Sequence, residues 1–310
     1  MEMRRKVNRG YRIFNTVSKI LLGIFALICI FPFLLMLIGS FTDNGTVIRE
    51  GYSLFPSKWS TAAYDLLFTY PDNIIQAYKI TIFQTVVGTV ISLFCVSMTG
   101  YVLSRQDFKS RNVIAFYFYF TMLFGGGLIP WYIVMKQLLH LGDSLMAIML
   151  PSFFGAYNIF LMRNFIKQSI PYELVECSKL DGANDMRIYL QIVLPLSLPS
   201  LATVGLFIAL GLWNDWYLCM LFISDPKKQS LQYYLFNMLN SARALAEIQA
   251  KGGVTIDFDL PSETSKLAMS MIATGPILLV YPFIQRTLRD RPEQLSYYIK
   301  SQPPRISRYR

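Results

Sequence analysis

Charge is scarce in this chain: 15% of the residues are Asp, Glu, Lys or Arg, against 54% hydrophobic. A soluble domain would carry about 25% charged residues. Histidine is nearly missing, with His140 alone, and no cysteine lies near it to complete a metal site. No segment reads GxxxxGK[ST], so the chain lacks the phosphate-cradling loop that would bind ATP. The four cysteines, Cys29, Cys95, Cys177 and Cys219, show no CxxC spacing. Three of them fall in apolar runs, and they read as small buried hydrophobes. No cluster of His, Cys and carboxylates suggests an active site. These absences point away from an enzyme and leave no metal or cofactor for this chain to hold.

Long apolar runs are abundant, and about 20 such residues cross a bilayer as a helix. Six spans are expected: Ile20–Ser40, about Gln76–Leu103, Val113–Met135, Ser144–Phe165, about Val193–Ile223, and Leu267–Ile284. The first contains Pro32, is too long for a signal peptide and lacks an A-x-A exit, so it is expected to stay in place. The fold class is therefore an all-α polytopic membrane protein, one transmembrane domain over 1–310. Residues 1–75 hold the first helix and an outer segment, and 287–310 form a basic tail.

The net charge of +10 is concentrated at the ends, which suits anionic lipid and topology rules rather than nucleic acid. Arg4, Arg5, Lys6, Arg9, Arg12 and Lys19 precede the first span. Arg105, Lys109 and Arg111 follow the second, and seven basic residues from Arg286 to Arg310 follow the sixth. The outer segment Thr42–Ile75 has only Arg49 and Lys58. Lys and Arg accumulate on the inner side, so both termini and the loop between spans four and five are expected in the cytoplasm.

That loop, YELVECSKLDGANDMRIYLQIVLPLSLP from Tyr172 to Pro199, is polar sequence between membrane spans. Leu174, Val175, Cys177 and Leu180 recur at helical spacing, interleaved by Glu173, Glu176 and Lys179. Asp181 and Gly182 break the pattern. Gly182 can take φ > 0 and close the helix, and Asp181 suits the turn or the cap of the next one. A second short amphipathic helix runs from Ala183 to Gln191, and Pro195 and Pro199 mark the entry to the fifth span. Physical pattern alone supports two uses equally: a helix pair lying on the inner leaflet, or a protein-docking surface.

The order Glu176-x4-Asp181-Gly182-Ala183, followed by Ile192-x-Leu194-Pro195, resembles the EAA motif of bacterial ABC importer permeases. FGGGLIPWY at Phe124–Tyr132, GLWNDWY at Gly211–Tyr217 and PILLVYPFIQR at Pro276–Arg286 are similar to the carbohydrate branch, maltose-permease-like with complex-oligosaccharide relatives. The likeness covers about 76–286. It implies a coupling helix pair seated in a groove of a separate ATPase subunit, with Glu176 pairing a basic group there. Gly182 would allow close backbone approach and Asp181 would set the turn, with Ala183 completing the motif. Cys177 and Ser178 stand where alanines are usual, and both are small. The chain runs on past the usual short Gly/Lys-rich ending as TLRDRPEQLSYYIKSQPPRISRYR.

The resemblance further implies an importer working by alternating access. Its partners would be a second homologous permease, two ATPase subunits that bind ATP and Mg, an extracellular sugar-binding protein and membrane lipid. Asp215 is the one acid placed inside an expected span; with Trp213 and Asn214 it forms a candidate sugar-facing group, or else an outer aromatic belt. Gly125 to Gly127 suit close packing or a hinge. Leu231–Ala250 has helical spacing, and Gly252 and Gly253 in the loop after it are candidates for facing the binding protein. The rival from another class, an ion-coupled secondary carrier of a small polar solute, needs several intramembrane ionisable groups and an internal repeat.

Overall fold

The computed structural model describes residues 9–69, 71–250, 263–276 and 278. The described residues are mostly helical. Among the described residues there is no strand, only an isolated antiparallel bridge between Thr42 and Trp59.

The helices are α1 (Arg9–Ser40), α2 (Asn44–Glu50), α3 (Ala62–Leu67), α4 (Pro71–Ser104) and α5 (Arg111–Leu123). They continue as α6 (Leu128–Leu138), α7 (Met146–Phe153), α8 (Ala156–Ser169), α9 (Tyr172–Leu180) and α10 (Asp185–Leu196). Then come α11 (Leu198–Trp213), α12 (Tyr217–Phe222), α13 (Leu231–Ala250) and α14 (263–276). Three stretches are long and apolar enough to cross a membrane: Ile13–Ser40, Pro71–Ser104 and Met146–Ser169. Two bent pairs raise the number to five if each is one span. The sixth expected span begins in α14, but most of its second half lies outside the described residues.

The expected third span is broken. α5 and α6 meet at 115° across Phe124–Gly127. Gly127 sits at φ +86, a conformation an L side chain rarely adopts. Pro130 then falls in the first turn of α6, where its missing N–H has no intrahelical partner to lose. In an unbroken helix its ring would meet the carbonyl four residues earlier. The expected fifth span is bent too, by 81° between α10 and α11 at Ser197. Pro195 and Pro199 flank that residue, the first at the end of α10 and the second in the first turn of α11, where its missing N–H has no intrahelical partner to lose. A second break at Asn214–Trp216 separates α11 from α12.

The chain divides into two compact units. In the first, Met1–Pro71 with Met238–Gly275, most of α1 is exposed and apolar, as a lipid-facing helix must be. Its last turn is pinned: Ser40 Oγ lies 2.8 Å from Tyr64 Oη, and Phe41 stacks on Tyr64 at 4.7 Å. Asn44 Oδ1 accepts a hydrogen bond from Glu263 N at 3.1 Å, which joins α14 to α2.

In the second unit, Asp72–Asn237 with Pro276–Arg310, α4 buries one side along most of its length. Its inner stripe is small and polar, with Thr81, Gln84, Gly88, Ser92, Ser97 and Gly100 all buried. A Cβ added at Gly88 would stand 2.7 Å from Leu212 Cδ1 and 3.1 Å from Met149 Cγ, so glycine there sets the helix crossing. Gln84 Nε2 donates to Leu212 O at 2.9 Å, at the end of α11, and Ser92 bonds Ser152 at 3.2 Å. Of the cysteines, Cys219 alone is fully buried; Cys95 is half-buried, and Cys29 and Cys177 are exposed. A thiol in an apolar run faces lipid as readily as core, because the bilayer is itself an apolar solvent.

Candidate functional site

The loop from Tyr172 folds as two short helices, α9 and α10, joined by a tight reversal. α9 follows Pro171, carries Glu173 in its first turn and Lys179 in its last, and so matches the helix dipole at both ends. Its closure is a Schellman motif: Gly182 N donates to Lys179 O and Ala183 N to Ser178 O, each at 3.0 Å. Gly182 occupies the left-handed position at φ +80, as its residue type predicts. A Cβ there would meet nothing within 4 Å, so inside this chain it is the backbone conformation, and not crowding, that favours glycine.

Asp181 ends α9 but does not cap α10. That role falls to Asn184, whose Oδ1 accepts a hydrogen bond from Arg187 N at 2.8 Å. Three positions nearer the helix start, Asn184 adopts the extended backbone an N-cap requires.

One side of the pair is anchored. Val175, Ile188 and Tyr189 are buried in the main core cluster, and Ala183 packs against it. The other side is open: Leu180 is 88% exposed, Leu174 and Met186 are each more than 40% exposed, and Glu176, Cys177, Asp181 and Gly182 are exposed beside them. Ser178 is half-buried, and its hydroxyl donates to Leu174 O at 2.6 Å, which satisfies the polarity that an alanine would not bring. Apolar side chains in water next to charges, on a rigid pair, have the composition of a docking patch.

Side chains that the sequence did not single out hold the pair in place. Ser97 Oγ and Tyr189 Oη lie 2.6 Å apart, both buried. Arg105 reaches Asp107 through Nε at 2.9 Å and Asp185 through Nη1 at 2.5 Å. Lys179 also pairs with Asp107. The hydrogen bond from Arg105, then that from Lys179, holds the Asp107 carboxyl well below the usual carboxylate range despite partial burial. Asp107 in turn raises Arg105. In sequence these four residues look like ordinary loop charges; the only available hint was opposite signs two and six positions apart, which many solvated loops share.

The second candidate group sits at the break between α11 and α12. The half-buried Asp215 carboxylate accepts hydrogen bonds from Leu218 N at 3.2 Å and Cys219 N at 3.1 Å, the bonding of an N-cap. Asn214 Nδ2 donates to Leu210 O at 2.9 Å, and Trp213 is half-buried nearby. The aromatic neighbour Trp216 packs on Phe236 at 4.7 Å. Gly252 and Gly253 lie outside the described residues. α13 has the helix expected over Leu231–Ala250. Among the described residues no group of three or more His, Cys, Asp or Glu could hold a metal ion.

Known proteins resemble the chain along most of its length. The family described as binding-protein-dependent transport system inner membrane component matches residues 98–293. The polygalacturonan/rhamnogalacturonan transport system permease protein YtcP of Bacillus subtilis (strain 168) is 38% identical over 275 residues, covering 89% of this chain and 94% of that protein. Protein LplC of the same organism is 37% identical over 276 residues, covering 89% and 91%. A crystal structure of a bacterial ABC transporter involved in the import of the acidic polysaccharide alginate contains a chain that is 29% identical. It superposes with a TM-score of 0.70, covering 90% of this chain and 98% of that one. Helical architecture, apolar spans and matched sequence agree, and this chain belongs to the family of inner membrane components of binding-protein-dependent transport systems.

Proposed function

We propose that the chain forms half of the translocation pathway of an ATP-driven importer for an oligosaccharide or related sugar. A second homologous permease supplies the other half. Two ATPase subunits bind ATP and Mg on the cytoplasmic side, and an extracellular binding protein delivers the sugar. In this reading the chain has six spans with both termini inside, and the α9–α10 pair faces the ATPases. The single observation that carries the docking role is the anchored pair with an exposed apolar and acidic outer side, Leu174, Glu176 and Leu180 about Gly182. The substrates of the relatives, polygalacturonan/rhamnogalacturonan and alginate, support an acidic or complex saccharide as the cargo class.

On this reading, ATP-driven closure of the ATPases moves the docked pair, and rigid helices rock to turn the cavity outward. Glu176 supplies a charge-assisted contact that sets register as much as affinity. The chain itself catalyses nothing. The test is uptake and ATPase co-purification in Glu176→Arg and Gly182→Trp variants. Loss of both activities with normal membrane yield is the expected result; retention of both refutes docking through this pair. Retained co-purification with altered lipid dependence would instead favour the inner-leaflet role.

A further inference from the structure

We propose that Asp107 and Arg105 are positioning residues that clamp both helices of the exposed pair to the end of α4, so that pair and α4 move as one body. The inference rests on the proposed docking role of α9–α10, and adds the route by which a push on that pair reaches the membrane helices.

The ties converge on one short stretch. Ser97 meets the Tyr189 hydroxyl at 2.6 Å, and the Tyr101 ring lies 5.8 Å from the Tyr189 ring. Arg105 bonds Asp185 at the start of α10, and Asp107 bonds Lys179 at the end of α9. Every one of these contacts leaves α4 or the three residues after it. α10 is therefore held by a buried hydroxyl pair, an aromatic contact and an ion pair. α9 has a single buried side chain, Val175, and among the described residues the Asp107 bond is the one ion pair that reaches it.

The chemistry suits a fixed joint. Only 12% of the Arg105 side chain is exposed, and its planar fork spends Nε and Nη2 on Asp107 and Nη1 on Asp185. A guanidinium so engaged has a defined orientation, unlike a flexible lysine reaching into water. Asp107 accepts from Arg105 and from Lys179 at once, so the carboxylate links two cations that would otherwise repel. Arg111 Nη1 donates to Arg105 O at 2.8 Å and brings in the start of α5. Isolated surface ion pairs contribute little, but a shared network around a largely buried guanidinium is the case in which geometry is kept.

The experiment uses the full complex of permeases and ATPases, with the four native cysteines replaced by serine and spin labels on Phe94→Cys and Glu173→Cys. Dipolar spectroscopy reads the distance between α4 and α9, without nucleotide and trapped with ATP and vanadate. A narrow distribution, unchanged on trapping, is expected with the clamp intact. Asp107→Asn should broaden it or make it shift on trapping, and lower transport per ATP hydrolysed by about two- to five-fold. Lys179→Gln, which spares the Arg105–Asp107 pair, should do the same, and Asp107→Glu should restore the narrow distribution. A distribution as narrow in Asp107→Asn and Lys179→Gln as in the unsubstituted chain overturns the clamp. The docking role is read separately, by ATPase co-purification in Glu176→Arg. If that variant keeps its ATPase, docking fails while the label distances in the isolated permease still report on the clamp.

Discussion

Gly182 is where two demands, one conformational and one steric, can be separated by substitution. Its φ of +80 lies in the left-handed region, and a Cβ there meets nothing within 4 Å. In this chain alone, Gly182→Ala should therefore suffer only the left-handed penalty, about 1–2 kcal/mol. That corresponds to roughly a five- to thirty-fold loss in the population of the closed turn. Gly182→Asn tolerates the left-handed region and should recover most of that loss. Docking adds the second demand, because a partner approaching the bare backbone would meet the new side chain. The assays are thermal unfolding of the purified permease and co-purification of the ATPase. The expected pattern is that Asn restores the unfolding midpoint but not the association, and that Gly182→Trp loses association furthest. Unaltered association in the Asn and Trp variants would refute close approach at this residue. An alanine variant as stable as the unsubstituted protein would refute the conformational argument.

Three further outcomes follow from the same geometry. Ser97→Ala should cost about 1–3 kcal/mol, because it leaves the buried Tyr189 hydroxyl without Ser97, whereas Tyr189→Phe should cost less, because Ser97 Oγ keeps its bond to Phe94 O at 3.2 Å; a thermal double-mutant cycle measures the coupling. Asp215→Ala should cost about 0.5–2 kcal/mol through loss of the α12 cap, whereas Asp215→Asn should be nearly neutral in unfolding. Sugar uptake that survives Asp215→Asn unaltered would remove the carboxylate charge from the transport pathway. The Asp107 carboxyl is depressed in the folded state, so its contribution is present above the usual carboxylate range and is lost only as pH falls through the lower folded value. The label distance between α4 and α9 should accordingly stay constant from neutral pH to about pH 5; broadening already there would show that the pair is not held by this charge.

Much of the fold was legible in the chain because its solvent imposes simple rules. A bilayer requires long apolar helices with satisfied backbones, so runs such as Ile13–Ser40 and Pro71–Ser104 announce themselves by length and hydropathy. The helix pair was readable for a local reason: helical spacing from Leu174 to Leu180 that stops at Asp181-Gly182 specifies both a helix and its left-handed closure, within nine residues. The breaks were less legible. Gly125–Gly127 with Pro130, and Pro195 with Pro199, indicate weakened helix, but residue types set no angle; bends of 115° and 81° arise from what each half packs against. Asp181 suited either the turn or the next cap; it takes the turn, and Asn184, three residues on, takes the cap, because the exact start of α10 decides between two residues of capping type.

The sequence by itself determined that this is a helical membrane protein, that a polar helix–Gly–helix element interrupts its spans, and which transport family it belongs to. Composition, period and motif are local properties, and they survive without coordinates. Only the tertiary structure decided which side of α9–α10 is buried, and that Arg105, Asp107, Lys179 and Asp185 form one network. It likewise decided that Gly88 and Gln84 sit at the α4 crossing and that Asp215 bonds the amides of α12. The Gln84–Leu212 and Asp107–Lys179 contacts join residues 128 and 72 positions apart, and no local pattern encodes such a meeting; the Asp215 bonds are local, but they form only because the chain breaks at that residue.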